Sequence, residues 1–128
     1  MSAPWIGVDL DGTLALHPPR GTFDPLVIGD PVPDMVARVA GWHAAGWEVR
    51  VFTARVCSLV PVAERLKVHD AIRAWTLRHV GVELEATAEK DFAMIQLWDD
   101  RAIGVFVDTG RPNVLEIPIV LRRRGERT

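Results

Sequence analysis

Apolar positions along this chain fall into short runs whose period changes from strand-like to helical and back. Trp5 to Val8 is an unbroken apolar run, which suits a short buried strand. Residues 15–30 interrupt that order with Pro and Gly (His17-Pro18-Pro19-Arg20-Gly21, then Gly29-Asp30-Pro31), so an irregular loop is expected there. Val32, Met35, Val36, Val39 and His43 then recur at helical spacing, with Gly46 placed to end the helix. Glu48 to Thr53 alternates as a strand does. Pro61 suits the first turn of a second helix. That helix presents Val68, Ala71, Ile72, Trp75 and His79 on one face and stops near Gly81. A short extended piece, Val82 to Glu85, follows, and then the apolar run Ala93 to Trp98, which ends in Asp99-Asp100. Ile103 to Val107 reads as a further strand. Val114 to Leu121 is β-prone, with Pro118 confining it to an edge or an irregular segment.

The alternation of strands and helices predicts an α/β fold: a Rossmann-like parallel sheet with helices on both faces. Ligands of such sheets sit outside the carboxyl ends of the strands, near the point where strand order reverses. Each expected strand ends in a chemically useful residue: Asp9, Thr53, and the pair Asp99-Asp100.

Composition narrows the class of protein. At 128 residues, 48% of them hydrophobic and 25% charged, the chain is long enough for one domain with a real core. A net charge of −2 gives no general electrostatic case for nucleic-acid binding. The single cysteine, Cys57, has no internal disulfide partner, which suits a reducing compartment. Met-Ser-Ala-Pro-Trp leads directly into the first strand, and no apolar run approaches membrane-spanning length. A cytoplasmic protein with no membrane partner is the expectation.

The stretch Val8-Asp9-Leu10-Asp11-Gly12-Thr13-Leu14 changes the picture most. Side chains at i and i+2 share one side of an extended backbone, so Asp9 and Asp11 can converge. Converging carboxylates repel unless a cation or a shared proton intervenes. Asp-Gly alone is a common turn dipeptide, Thr53 alone suits a strand end, and Lys90 alone suits a solvated surface. Asp99-Asp100 alone suits a cap. Taken together and in this order, they point to chemistry.

Asp9-Leu10-Asp11-Gly12-Thr13, then Thr53, Lys90 and Asp99-Asp100 resemble the motifs of the haloacid dehalogenase superfamily, most of whose members are phosphatases. The likeness spans roughly Trp5 to Val107. The short spacing from Lys90 to the Asp pair, and the ending Asp99-Asp100-Arg101-Ala102, look like those of small bacterial and phage members. The resemblance implies that Asp9 attacks phosphorus to form an aspartyl-phosphate, and that Asp11 protonates the leaving oxygen and then activates water. It implies Mg2+ held by Asp9, the backbone carbonyl of Asp11, and Asp99, with Asp100 direct or through water. Thr53, Lys90 and backbone N–H groups around Gly12 would bind the phosphoryl group.

Neither inter-motif gap leaves room for a cap domain, so residues 1–121 are expected to form a capless core with a flap over Leu14 to Asp30. His17 and Arg20 on that flap, and Arg55, are candidates for touching substrate. Arg101 is expected in a structural ion pair, and Trp98 in packing. An open site of this kind suits a phosphorylated small molecule or polymer end, or closure by a second copy of the chain. The basic tail, residues 122–128, gives the only hint of a nucleotide or polynucleotide substrate. The competing reading is a module that binds phosphate and magnesium for regulation without useful turnover.

Overall fold

The computed structural model describes residues 3–114. Four strands form one parallel sheet in the order β3-β2-β1-β4: β1 Trp5–Asp9, β2 Glu48–Phe52, β3 Ala86–Thr87 and β4 Met94–Trp98. Two helices, α1 Pro33–Ala44 and α2 Val62–Val80, connect β1 to β2 and β2 to β3. The α/β class and the parallel sheet expected from the chain are therefore present. β1 is central, paired on both sides, which is why its apolar run is continuous: Trp5 to Val8 are all buried.

The helix boundaries follow local chemistry. α1 begins at Pro33, whose missing N–H costs nothing in a first turn, and carries Asp34 near its positive end. α2 follows Pro61 and ends at Gly81. Beneath its last turn, the wholly buried Thr76 hydroxyl donates to the Arg73 carbonyl and accepts the Leu84 N–H, steering the chain towards β3. Pairing there starts at Ala86, one residue past the end of the Val82–Glu85 piece, although the Glu85 carbonyl already accepts the Val51 N–H.

Helices on both faces are not found among the described residues. α1 and α2 pack against each other, and Met35, Val39, Val68, Ile72 and Trp75 share one buried cluster with Val8, Val49 and Val51. The two crossovers advance in the same direction across the sheet, and a right-handed crossover then puts both helices on one side. On the opposite face Trp5 is closed off by polar groups. The Arg50 guanidinium lies 4.5 Å from its ring centre, and its indole N–H donates to Asp91 at 2.9 Å.

The strand expected over Ile103–Val107 is also absent. Only Val105 makes a bridge, antiparallel to Pro112, and Ile103 to Val107 are all exposed. An apolar run there lacks a neighbouring strand among the described residues. Apart from Val114, the segment to Leu121 and the tail 122–128 lie outside the described residues. No helix among those residues is long and apolar enough to cross a membrane.

Candidate functional site

After β3 the chain returns past β1 to add β4 on its other side. Strand order reverses there, and the carboxyl ends of β1 and β4 lie side by side. Asp9 closes β1, and Asp99 and Asp100 follow β4 directly. One carboxylate oxygen from each of Asp9, Asp99 and Asp100 lies within 4.8 Å of the others. The cluster borders a cleft of about 680 Å³, which is also lined by Asp11, Thr53, Arg55, His17 and Arg101. The three strand ends singled out in the sequence are thus brought together.

Electrostatics in the cluster are unfavourable without a counter-charge. Burial, a hydrogen bond with Asp100, and the charges of Asp99 and Asp100 push Asp9 from 3.8 to about 7. Burial opposes ionisation of Asp100 as well. Its hydrogen bonds with Asp9, a backbone N–H and Thr13, together with the Arg101 charge, hold it below the usual carboxylate range. The Asp9–Asp100 pair therefore shares a proton near neutral pH. A set of hard carboxylate oxygens that must otherwise hold a proton is suited to a small divalent cation, and Mg2+ accepts such ligands.

Thr13 organises this cluster, a role not assigned from the sequence. Its hydroxyl lies 3.3 Å from Asp9 Oδ2 and 3.2 Å from Asp100 Oδ1, and accepts the Asp100 N–H at 3.1 Å. The signal was a hydroxyl two residues beyond Asp11, across a glycine turn. Gly12 makes that turn with φ +89°, and a Cβ there would stand 2.7 Å from Asp100 Oδ2. The Gly12 N–H, expected to face a phosphoryl oxygen, donates instead to the Ala15 carbonyl. Gly12 serves the site through its missing side chain.

Thr53 is buried at the end of β2. Its N–H donates to the Thr87 carbonyl and its hydroxyl oxygen accepts the Arg55 N–H at 3.2 Å. The hydroxyl hydrogen has no acceptor among the described residues, so it is free to donate into the cleft.

Arg55 differs from its expected part. Its guanidinium is buried, with the side chain only 3% exposed, and it does not wait for a distal anion of a substrate. Nε donates to Asp11 Oδ2 at 2.8 Å and Nη2 to Asp11 Oδ1 at 2.7 Å, a two-pronged ion pair. Nη1 points to three flap carbonyls, those of Asp24, Pro25 and Val27, at 2.9–3.2 Å. The Phe23 ring centre lies 4.8 Å from the guanidinium carbon. Asp11 accordingly turns its side chain to Arg55 and lies outside the three-carboxylate group.

Lys90 is not brought to the cluster. It is exposed, does not line the cleft, and makes no ion pair among the described residues. Its neighbour Asp91 is bonded to Trp5 at the start of β1, and Asp9 lies four residues further on, roughly 13 Å along a strand. The cations beside the cleft are Arg55 and Arg101. Arg101 forms no ion pair among the described residues. Its N–H donates to Asp99 Oδ1 at 2.7 Å, and Nη2 lies 3.5 Å from His17 Nε2. His17 thus reaches the cleft mouth, whereas Arg20 is exposed on the flap and does not line the cleft. Trp98 packs with Trp42, as expected.

No protein-family model, curated protein or solved structure matches this chain.

Proposed function

We propose that the chain is a magnesium-dependent phosphomonoester hydrolase that works through an aspartyl-phosphate on Asp9, as its resemblance to the haloacid dehalogenase superfamily implies. The observation that carries this reading is the meeting of Asp9, Asp99 and Asp100 oxygens within 4.8 Å at the wall of a cleft that Asp11 and Thr53 also line. A purely structural part would leave three carboxylates crowded at one sheet edge with only the Arg101 charge against them among the described residues.

Asp9, Asp99 and Asp100 would hold Mg2+, which supplies charge neutralisation between an anionic nucleophile and an anionic ester. Asp9 attacks phosphorus, and the bond from phosphorus to the ester oxygen breaks. Asp11, on the cleft wall, gives the leaving oxygen its proton. In the second half Asp11 takes a proton from water, whose oxygen attacks phosphorus, and the Asp9 carboxylate leaves. The Thr53 hydroxyl donates to a phosphoryl oxygen throughout.

The segments between β1 and β2 and between β2 and β3 contain the flap, α1, one 3₁₀ turn and α2. The core is accordingly read as capless, with residues 14–30 as its cover. Phe23, Pro25, Phe52 and Val60 give the cleft apolar walls for a leaving group, while His17 offers a ring nitrogen and Arg101 a positive charge at the mouth. That combination favours a nucleotide or a polynucleotide end.

Hydrolysis of a phosphomonoester panel, aryl phosphate included, with Mg2+ and with chelator, tests the reading. Turnover that needs Mg2+ and is lost in Asp9→Asn is expected. No turnover on any ester, or turnover undiminished in Asp9→Asn, would overturn it.

A further inference from the structure

Arg55 sits two residues beyond the phosphate-binding hydroxyl, yet none of its polar contacts points at a substrate position. The side chain is among the most buried charged groups of the described residues. All three of its guanidinium nitrogens bond to protein acceptors: two to the Asp11 carboxylate, the third to the turn Asp24–Val27 at the heart of the flap. The flap turn is shaped for this. The Asp24 carboxylate accepts the Leu26 N–H at 2.9 Å and the Asp24 carbonyl accepts the Val27 N–H at 3.0 Å. This closes a compact turn whose Asp24, Pro25 and Val27 carbonyls face inwards together. Phe23 adds a ring against the guanidinium.

The geometry points to Arg55 as a positioning residue that joins the flap to Asp11, so that the Asp11 carboxylate is held in its working orientation only while the flap is seated. This rests on the phosphatase reading above and adds a control element to it. A planar fork fixes both oxygens of a carboxylate, which a lysine ammonium does not do. The third nitrogen takes its fixed position from three carbonyls on a loop that covers the cleft. If the flap lifts, the guanidinium loses those acceptors, and Asp11 is left on an unanchored partner. Substrate access and the readiness of the acid/base group are thereby tied through one side chain. Thr53, which accepts the Arg55 backbone N–H, anchors the other end of the same residue beside the phosphoryl site.

The role is separable from plain structural support by the ester used. An alkyl phosphate needs a proton on its leaving oxygen, whereas an aryl phosphate with an acidic phenol departs without one. Misplaced Asp11 therefore penalises kcat/KM for the alkyl ester selectively. A variant that is merely less well folded loses both esters alike.

The test uses the full chain with Mg2+, in wild type, Arg55→Lys and Phe23→Ala. Phe23 is 59% exposed, so its removal loosens the flap without emptying the core. Hydrogen exchange at the flap amides is read alongside kcat/KM for an alkyl and an aryl phosphate. In Arg55→Lys the flap amides are expected to exchange about tenfold faster while α2 amides keep their protection. The alkyl-to-aryl ratio of kcat/KM is expected to fall about tenfold. Phe23→Ala is expected to move both readouts in the same direction by a smaller factor. Unchanged flap exchange in a folded variant, or equal loss of both esters, overturns the Arg55 assignment alone. A wild type that hydrolyses neither ester overturns the phosphatase reading, and the positioning role falls with it.

Discussion

Replacing Gly12 with alanine would strike the site at its tightest point. Two costs combine. The backbone is held at φ +89°, in the left-handed region, which disfavours any residue with a Cβ by roughly 1–2 kcal/mol. The new methyl would also stand 2.7 Å from Asp100 Oδ2 and 3.0 Å from its Cγ, so the carboxylate must move. Moving it breaks the contact with the Thr13 hydroxyl, a hydrogen bond to a charged group worth about 1–2 kcal/mol. The sum, about 2–4 kcal/mol, corresponds to a fall in Tm of roughly 8–16 °C for a domain of this size. Gly21 supplies the control. It has φ +79°, and a Cβ there meets nothing within 4 Å, so Gly21→Ala carries the backbone cost without the collision. Thermal unfolding of the two single variants, and of Gly12→Ala combined with Asp100→Ala, separates the two contributions. Gly12→Ala should cost clearly more than Gly21→Ala, and the excess should shrink once Asp100 is cut back. Equal costs at the two glycines, or no relief in the double variant, would refute the claim that Asp100 is packed against this turn.

Other consequences can be measured independently. Asp9 is raised from 3.8 to about 7, so its contribution to stability is fully present below pH 3.8 and lost as pH rises through about 7. Metal-free protein should therefore lose about 1–2 kcal/mol from this group between pH 4 and 7, after allowance for solvent screening of a half-exposed carboxyl. Asp9→Asn should flatten that slope in urea melts, and added Mg2+ should oppose it; an identical slope in Asp9→Asn would contradict the assignment. Thr13→Val removes the hydroxyl shared by Asp9 and Asp100 and should weaken Mg2+ binding by about 10–100-fold in calorimetry. Lys90→Ala should keep kcat/KM within about threefold, because an exposed side chain away from the cleft contributes little. A loss of several orders of magnitude there would mean that the lysine reaches the phosphoryl group during turnover.

Much of the framework could be read from the chain because local patterns agreed with the tertiary outcome. The buried run of β1, the helical spacing from Val32 to His43, and the stop at Gly81 each carry their own signal. The meeting of Asp9 with Asp99 and Asp100 followed from parallel strands ending at one edge. Helices on both faces, expected from the alternation of elements, give way to two on one face, because which face a crossover covers depends on strand order and not on the helix's own sequence. Ile103 to Val107 looked like a strand by composition, but an apolar run becomes a strand only if a neighbour offers free backbone groups. Arg55 and Lys90 exchanged importance for a related reason. A cation's role is set by where its stem starts, and Arg55 leaves a site-forming turn whereas Lys90 leaves the link that passes the entry of β1. The signal for Thr13 lies within the motif itself, a hydroxyl two residues beyond Asp11 across the glycine turn.

The most direct measurement is to trap the phosphorylated protein by acid quench during turnover of a labelled phosphomonoester and to locate the label by mass spectrometry. Label on the peptide containing Asp9, labile to hydroxylamine and absent when Mg2+ is chelated, is the expected result. Steady hydrolysis with no labelled carboxylate, or label on any residue other than Asp9, would contradict it.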